Sequence, residues 1–199
     1  MKSSAVTFAF GLLALAAPQI DVRAADVEAG RAAFETCRGC HSSPGYSNVY
    51  PTYYVPKVGG QRSDYIVSAL TAYKKNERPH GTMKANAYDL SEKTMENIAQ
   101  YLESSEGPAH PSPAKGDAGI GEKLAESCLS CHSEGPDAAS NIPRLAGQYG
   151  NYLVKAMKEY QSGKRNNALM QAMVKDLSDN DLENISAYFA GLEGLSTVE

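Results

Sequence analysis

The pentapeptide Cys37-Arg38-Gly39-Cys40-His41 returns as Cys128-Leu129-Ser130-Cys131-His132, and the likeness runs on beyond the motif. Val55-Pro56-Lys57-Val58-Gly59-Gly60-Gln61 matches Ile142-Pro143-Arg144-Leu145-Ala146-Gly147-Gln148. Tyr65, Tyr73 and Arg78 match Tyr152, Tyr160 and Arg165. Asp89-Leu90-Ser91 and Glu96-Asn97-Ile98 match Asp176-Leu177-Ser178 and Glu183-Asn184-Ile185. From residue 55 onward every match keeps one offset of 87, with no gap. Self-similarity at a fixed spacing means copies of one structural unit, so the chain reads as a duplicated domain.

The spacing of the cysteines decides their chemistry. Their number, four, is even, which in an exported protein keeps disulfides in view. A bridge inside either Cys-x-x-Cys pair would close a short, strained loop. A thioredoxin-like dithiol needs a βαβ setting and no histidine directly after it. A zinc site would need the two pairs to meet across the copies. Cys-x-x-Cys-His, by contrast, is the attachment signature of c-type haem. The thiols of Cys37 and Cys40, and of Cys128 and Cys131, then add to the vinyl groups of a porphyrin, and His41 or His132 offers an imidazole nitrogen to iron. Two motifs at matching places predict two covalent haems.

Each copy reads as helix, loop, helix, loop, helix. Asp26 or Val27 to about Thr36 forms the first helix, with Asp117 to about Ser127 as its counterpart. Asp64 to Lys75 places Tyr65, Ile66, Ala69, Leu70 and Tyr73 on one face at helical spacing. Asn151 to Gln161 does so with Tyr152, Leu153, Ala156, Met157 and Tyr160. A third helix starts after an N-cap serine, Ser91 or Ser178. No strand alternation of useful length occurs, so the fold class is all-α. Residues 104–115 are rich in Ser, Pro and Gly, and Pro108, Pro111 and Pro113 favour an extended connector. That sets one domain at 26–103 and the other at 116–195. Each has about 80 residues, a length at which a large buried cofactor supplies apolar contact that the chain lacks.

The repeat also chooses the sixth iron ligand. Histidine with methionine raises a haem's potential, since thioether sulfur favours ferrous iron. Met83 and Met170 are equivalent in the repeat, whereas Met173 falls opposite Asn86 and stays a rival. Met95 falls opposite Leu182 and Met157 opposite Leu70, which makes both core residues. The axial pairs expected are therefore His41 with Met83 and His132 with Met170. His80 lies near Met83 but matches Asn167, so a solvent-facing or hydrogen-bonded loop role is expected for it; His110, in the linker, is expected to be solvated.

These residues resemble the dihaem cytochrome c4 family, exported proteins built from two tandem class I cytochrome c domains. The resemblance spans nearly the whole chain after its first 25 residues. It rests on both haem motifs, on Pro56-x-x-Gly-Gly-Gln and Pro143-x-x-Ala-Gly-Gln, and on the methionines followed by Leu-Ser. It implies that the carbonyls of Pro56 and Pro143 orient the proximal imidazoles. It implies a non-enzymatic carrier of single electrons between respiratory redox partners, such as a membrane oxidase, a bc1-type complex or a dehydrogenase. The implied molecule is a monomer, free or peripherally associated with a membrane. A tightly bound electron-transfer subunit of a dehydrogenase, flavocytochrome-like, is the alternative; a dihaem peroxidase fits less well, because two equivalent methionines leave no open iron. One departure is plain. The His-to-Met interval is 42 residues in the first copy and 38 in the second, and the extra four fall in a tyrosine-rich loop carrying Tyr46, Tyr50, Tyr53 and Tyr54.

Charge and the N-terminus complete the expectations. A net charge of −4 without a basic stripe excludes a nucleic-acid footprint. Residues 26–103 carry nine basic and nine acidic side chains, residues 116–199 seven and twelve, so the second copy is the acidic one. Such a dipole would steer docking in a salt-sensitive way. Lys2, the apolar run Val6–Ala17 and the small residues around Val22 and Ala24 read as a signal peptide over residues 1–25, cleaved after Ala24 or Ala25. A periplasmic location follows from that reading.

Overall fold

The computed structural model describes residues 25–108, 110–134 and 139–198, so the signal-peptide reading lies, apart from Ala25, outside the described residues. The first copy folds as α1 (Val27–His41), a two-residue hairpin of β1 (Ser47–Asn48) and β2 (Tyr53–Tyr54), α2 (Ser63–Lys74), α3 (Gly81–Ala87) and α4 (Glu92–Ser104). The second folds as α5 (Ala118–His132), α6 (Gly150–Gln161), α7 (Ala168–Val174) and α8 (Asp179–Gly191). The protein is thus all-α, with two tandem lobes related by internal duplication.

Side-chain caps start the helices where the sequence places Asp and Ser. Asp26 Oδ1 accepts from Ala29 N at 3.0 Å, and Asp117 Oδ1 accepts from Gly119 N and Ile120 N. Ser91 and Ser178 cap α4 and α8 in the same way. In each lobe the first and last helices cross at a glycine, where a Cβ on Gly30 or Gly121 would collide with the carbonyl oxygen of Asn97 or Asn184. Those asparagines also receive the backbone N–H of Asp26 and Asp117, at 2.9 and 2.8 Å.

The two cores are matched in volume rather than in sequence. Phe34, Ile66, Ile98 and Leu102 pack in the first, and Ala125, Leu153, Ile185 and Phe189 in the second. The large ring has moved from the first helix of the lobe to the last, which keeps the core filled.

The structure departs from the sequence reading in three places. Among the described residues each lobe has four helices instead of three, because α3 and α7, seven residues each, are too short to show a period. Helices α1 and α5 continue through the Cys-x-x-Cys-His motifs to His41 and His132 instead of ending near Thr36 and Ser127. The connector is wedged between the lobes: Lys57 Nζ donates to the carbonyls of His110 and Gly147 and to Ser112 Oγ, at 2.6–2.9 Å. His110 is accordingly half-buried rather than solvated.

Repeated residues join the lobes reciprocally. Gln148 accepts from Lys57 N and donates to Lys57 O, both at 2.9 Å. Its equivalent Gln61 accepts from Arg144 N at 2.9 Å and donates to Arg144 O at 3.1 Å. The next residue crosses as well: Arg62 donates to the carbonyls of Ser133, Ala139 and Ile142, and Tyr149 Oη accepts from Gly45 N. One strap is not reciprocal. After α8 the chain crosses to the first lobe, where Ser196 forms an antiparallel bridge with Gly59 and Val198 enters the core beside Phe34.

Candidate functional site: two haem pockets in one cavity

A cavity of about 790 Å³ is lined by residues of both lobes, among them Cys37, Cys40, His41 and Met83 of the first and Cys128, Cys131, His132 and Met170 of the second. All eight residues expected from the sequence therefore face a common space. The continuation of α1 and α5 through the motifs explains this. Positions three and four residues apart share a helix face, so Cys37, Cys40 and His41 point the same way.

Each histidine is oriented by the proline of the following loop. His41 Nδ1 lies 2.9 Å from Pro56 O, and His132 Nδ1 lies 2.7 Å from Pro143 O. A carbonyl can only accept, so Nδ1 carries the proton and Nε2 keeps its lone pair for a metal. Burial pushes both imidazoles below the usual histidine range, with the proline carbonyl opposing it, so the neutral, ligand-competent form is favoured. The thiols are free of disulfides, and burial raises those of Cys37 and Cys128.

Met83 and Met170 line the same cavity from the first turn of α3 and α7. Met83 N donates to His80 Nδ1 at 3.2 Å, and Met170 N donates to Asn167 Oδ1 at 3.0 Å, so the two segments are capped alike. Met173 also borders the cavity but is 42 % exposed. Met95 is buried with its sulfur accepting from Thr71 Oγ1, and Met157 packs against the second core, as their repeat partners suggest. His80 is the hydrogen-bonded helix cap of α3.

Functional-looking residues that sequence reasoning left without a role gather between the pockets. Arg78 reaches over the boundary to Tyr152 Oη at 2.7 Å and to Tyr65 Oη at 3.3 Å. Arg165 meets the same Tyr152 Oη at 3.2 Å. Burial raises Tyr73 and Tyr160 to about 12, so both are neutral phenols at ordinary pH. Arg165 Nε, 3.4 Å from Glu159, makes no hydrogen bond. The repeated Tyr, Tyr and Arg were visible in the sequence; that they meet across the lobes was not.

A family model described as Cytochrome c matches residues 118–193. Cytochrome c4 of Pseudomonas aeruginosa is 32 % identical over 195 residues, covering 91 % of this chain and 96 % of the relative. The chain belongs to the cytochrome c4 family. The structure of reduced recombinant cytochrome c4 from Pseudomonas stutzeri superposes with a TM-score of 0.71 at 26 % identity, over 85 % of this chain and all of that one. A thiosulfate dehydrogenase from Marichromatium purpuratum gives the same TM-score at 25 % identity, over 84 % of this chain and 40 % of that one.

As a cytochrome c4, the protein is a dihaem c-type electron-transfer cytochrome, and the residues present fit that cofactor. Apolar side chains wall both halves of the cavity: Ile66, Leu70 and Leu102 in one, Leu153, Met157 and Phe189 in the other. Both cysteine pairs and both proton-fixed imidazoles open onto it. Arg165, a buried guanidinium that lines the cavity, suits a carboxylate such as a porphyrin carries.

Proposed function

We propose that this protein passes single electrons between redox protein partners in the periplasm, taking an electron in at one lobe and releasing it from the other. The observation that supports the reading is the shared cavity, whose lining includes a Cys-x-x-Cys-His motif and a methionine from each lobe. In this reading Cys37 and Cys40, and Cys128 and Cys131, hold the haems covalently. His41 with Met83, and His132 with Met170, would supply the iron ligands, and the domains would span residues 26–103 and 116–195.

The haems supply a one-electron ferric/ferrous couple. The chain's residues set the conditions for it. The prolines hold each imidazole in the tautomer that ligates. Thioether ligation and an apolar wall both favour the ferrous state and so raise the potential. Arg78 and Arg165, which line the cavity and both donate to Tyr152 Oη, would compensate porphyrin carboxylates that are otherwise costly to bury. The clamps Gln61–Arg144 and Gln148–Lys57 keep the two pockets at a fixed separation.

A spectroelectrochemical titration of the purified holoprotein tests this. Two one-electron steps, both of low-spin haem, and no peroxidase turnover with added peroxide are expected. Carbon monoxide binding to the reduced protein at neutral pH, or turnover of peroxide, would contradict it. A second reading, a bound subunit of a dehydrogenase, draws on the likeness to part of the longer thiosulfate dehydrogenase chain. Co-purification with a catalytic chain would favour that reading over a free carrier. Export follows from the N-terminal reading, and sequencing the N-terminus of the mature protein would show a start at Ala25 or Asp26.

A further inference from the structure

The four residues that the first lobe has and the second lacks belong to the hairpin, and the hairpin reaches the second lobe. Tyr54 packs against Tyr149 with the rings tilted by 48° and 5.0 Å between centroids, and Tyr54 N donates to Asn151 Oδ1 at 3.2 Å. Tyr53 is 4 % exposed. Its ring meets that of Tyr152 at 6.4 Å and carries Lys155 Nζ over its face at 4.6 Å. Both of those residues lie on α6 of the second lobe.

The hydroxyl of Tyr53 points back to the first lobe and lies 2.8 Å from His80 Nε2. The tautomer of His80 is set by its other nitrogen, because Nδ1 accepts the backbone N–H of Met83. Nε2 therefore carries the proton and donates to Tyr53 Oη. A continuous series results: Lys155 and Tyr152 of the second lobe, Tyr53 of the hairpin, His80, and the backbone of Met83. In the second lobe Asn167 caps Met170 directly, and no hairpin occurs among the described residues of that lobe.

We propose that Tyr53 is a positioning residue through which the second lobe holds the Met83 segment in place, so that methionine ligation in the first pocket, and not in the second, depends on contact between the lobes. The inference rests on Met83 and Met170 being the axial ligands. Physically, His80 can cap α3 firmly only while its ring is fixed; Tyr73 packs edge-on against that ring at 6.1 Å, and the Tyr53 hydroxyl supplies the hydrogen bond that holds its Nε2. Tyr53 in turn is fixed by a cation and a ring from the opposite lobe.

The test is displacement of methionine by imidazole in the oxidised holoprotein, followed in the methionine–iron charge-transfer band. Met83→Ala and Met170→Ala first assign the two kinetic phases to their lobes. Tyr53→Phe keeps the ring and removes the acceptor; it should speed the first-lobe phase by about tenfold, the size expected for one lost hydrogen bond, and leave the second-lobe phase unchanged. Lys155→Met, a change in the second lobe, should speed the same first-lobe phase. Tyr46→Phe, on the exposed part of the hairpin, should move neither. An unchanged first-lobe phase in Tyr53→Phe, or equal acceleration of both phases, would overturn the proposal. A Met83→Ala protein that keeps both phases would instead strike the ligand assignment on which it rests.

Discussion

Gln61 and Gln148 show how much one residue in a repeated motif can carry. Each amide fills the backbone donor and acceptor of a residue in the other lobe, and all of these groups are buried or nearly so. Gln148→Ala should cost about 1–3 kcal/mol, because it leaves the N–H and C=O of Lys57 without partners. Gln61→Ala should cost a similar amount, and equilibrium denaturation of the holoprotein measures both. At this scale the proximal side of the site was legible in advance. The motifs named Cys37, Cys40, His41 and their equivalents, and the prolines expected to orient the imidazoles do so through their carbonyls. The glutamines were equally visible as repeated letters. Their partners were not, since one sequence with a symmetric repeat does not say whether a polar side chain satisfies its own copy or the other.

Among the elements, the long helices could be read from their periodicity and the short ones could not. α2, α4, α6 and α8 fall within a residue or two of expectation, because their apolar faces recur over three turns. α3 and α7 span two turns each and owe their starts to His80 and Asn167, residues that nominate no helix by pattern alone. The Cys-x-x-Cys-His segments form the last turn of α1 and α5, so these helices end at His41 and His132, past the expected ends near Thr36 and Ser127. Packing between elements offers a sharper test of the duplication. Ala125→Phe alone places two large rings in the second core and should destabilise that lobe by about 1–3 kcal/mol. Adding Phe189→Leu recreates the arrangement of Phe34 and Leu102 and should recover most of the loss, with a coupling energy that a double-mutant cycle measures.

As a whole, the molecule is less modular than a tandem repeat suggests. The connector is hydrogen-bonded between the lobes, the hairpin of the first rests on the second, and the segment after α8 returns to the first. Val198, 1 % exposed, is part of the first core although it follows the second lobe in sequence. Val198→Ala should therefore lower the stability of the first lobe by about 1–3 kcal/mol, seen as loss of amide-exchange protection in α1 and α4 rather than in α5 and α8. The sequence divides cleanly at its proline-rich segment, but burial does not follow that division. Four residues that look like a frayed end, Leu195 to Val198, are all buried, and their place is set by backbone hydrogen bonds that leave no trace in residue type.

The proposed function requires two haems, each held between a histidine and a methionine supplied by its own lobe. The most direct measurement is the methionine–iron charge-transfer band of the oxidised holoprotein in Met83→Ala, Met170→Ala and Met173→Ala. Met83→Ala and Met170→Ala should each remove half of the band and lower the potential of one haem, and Met173→Ala should leave the band intact. Loss of half the band in Met173→Ala, with Met170→Ala unaffected, would contradict the ligand assignment and with it the equivalence of the two sites.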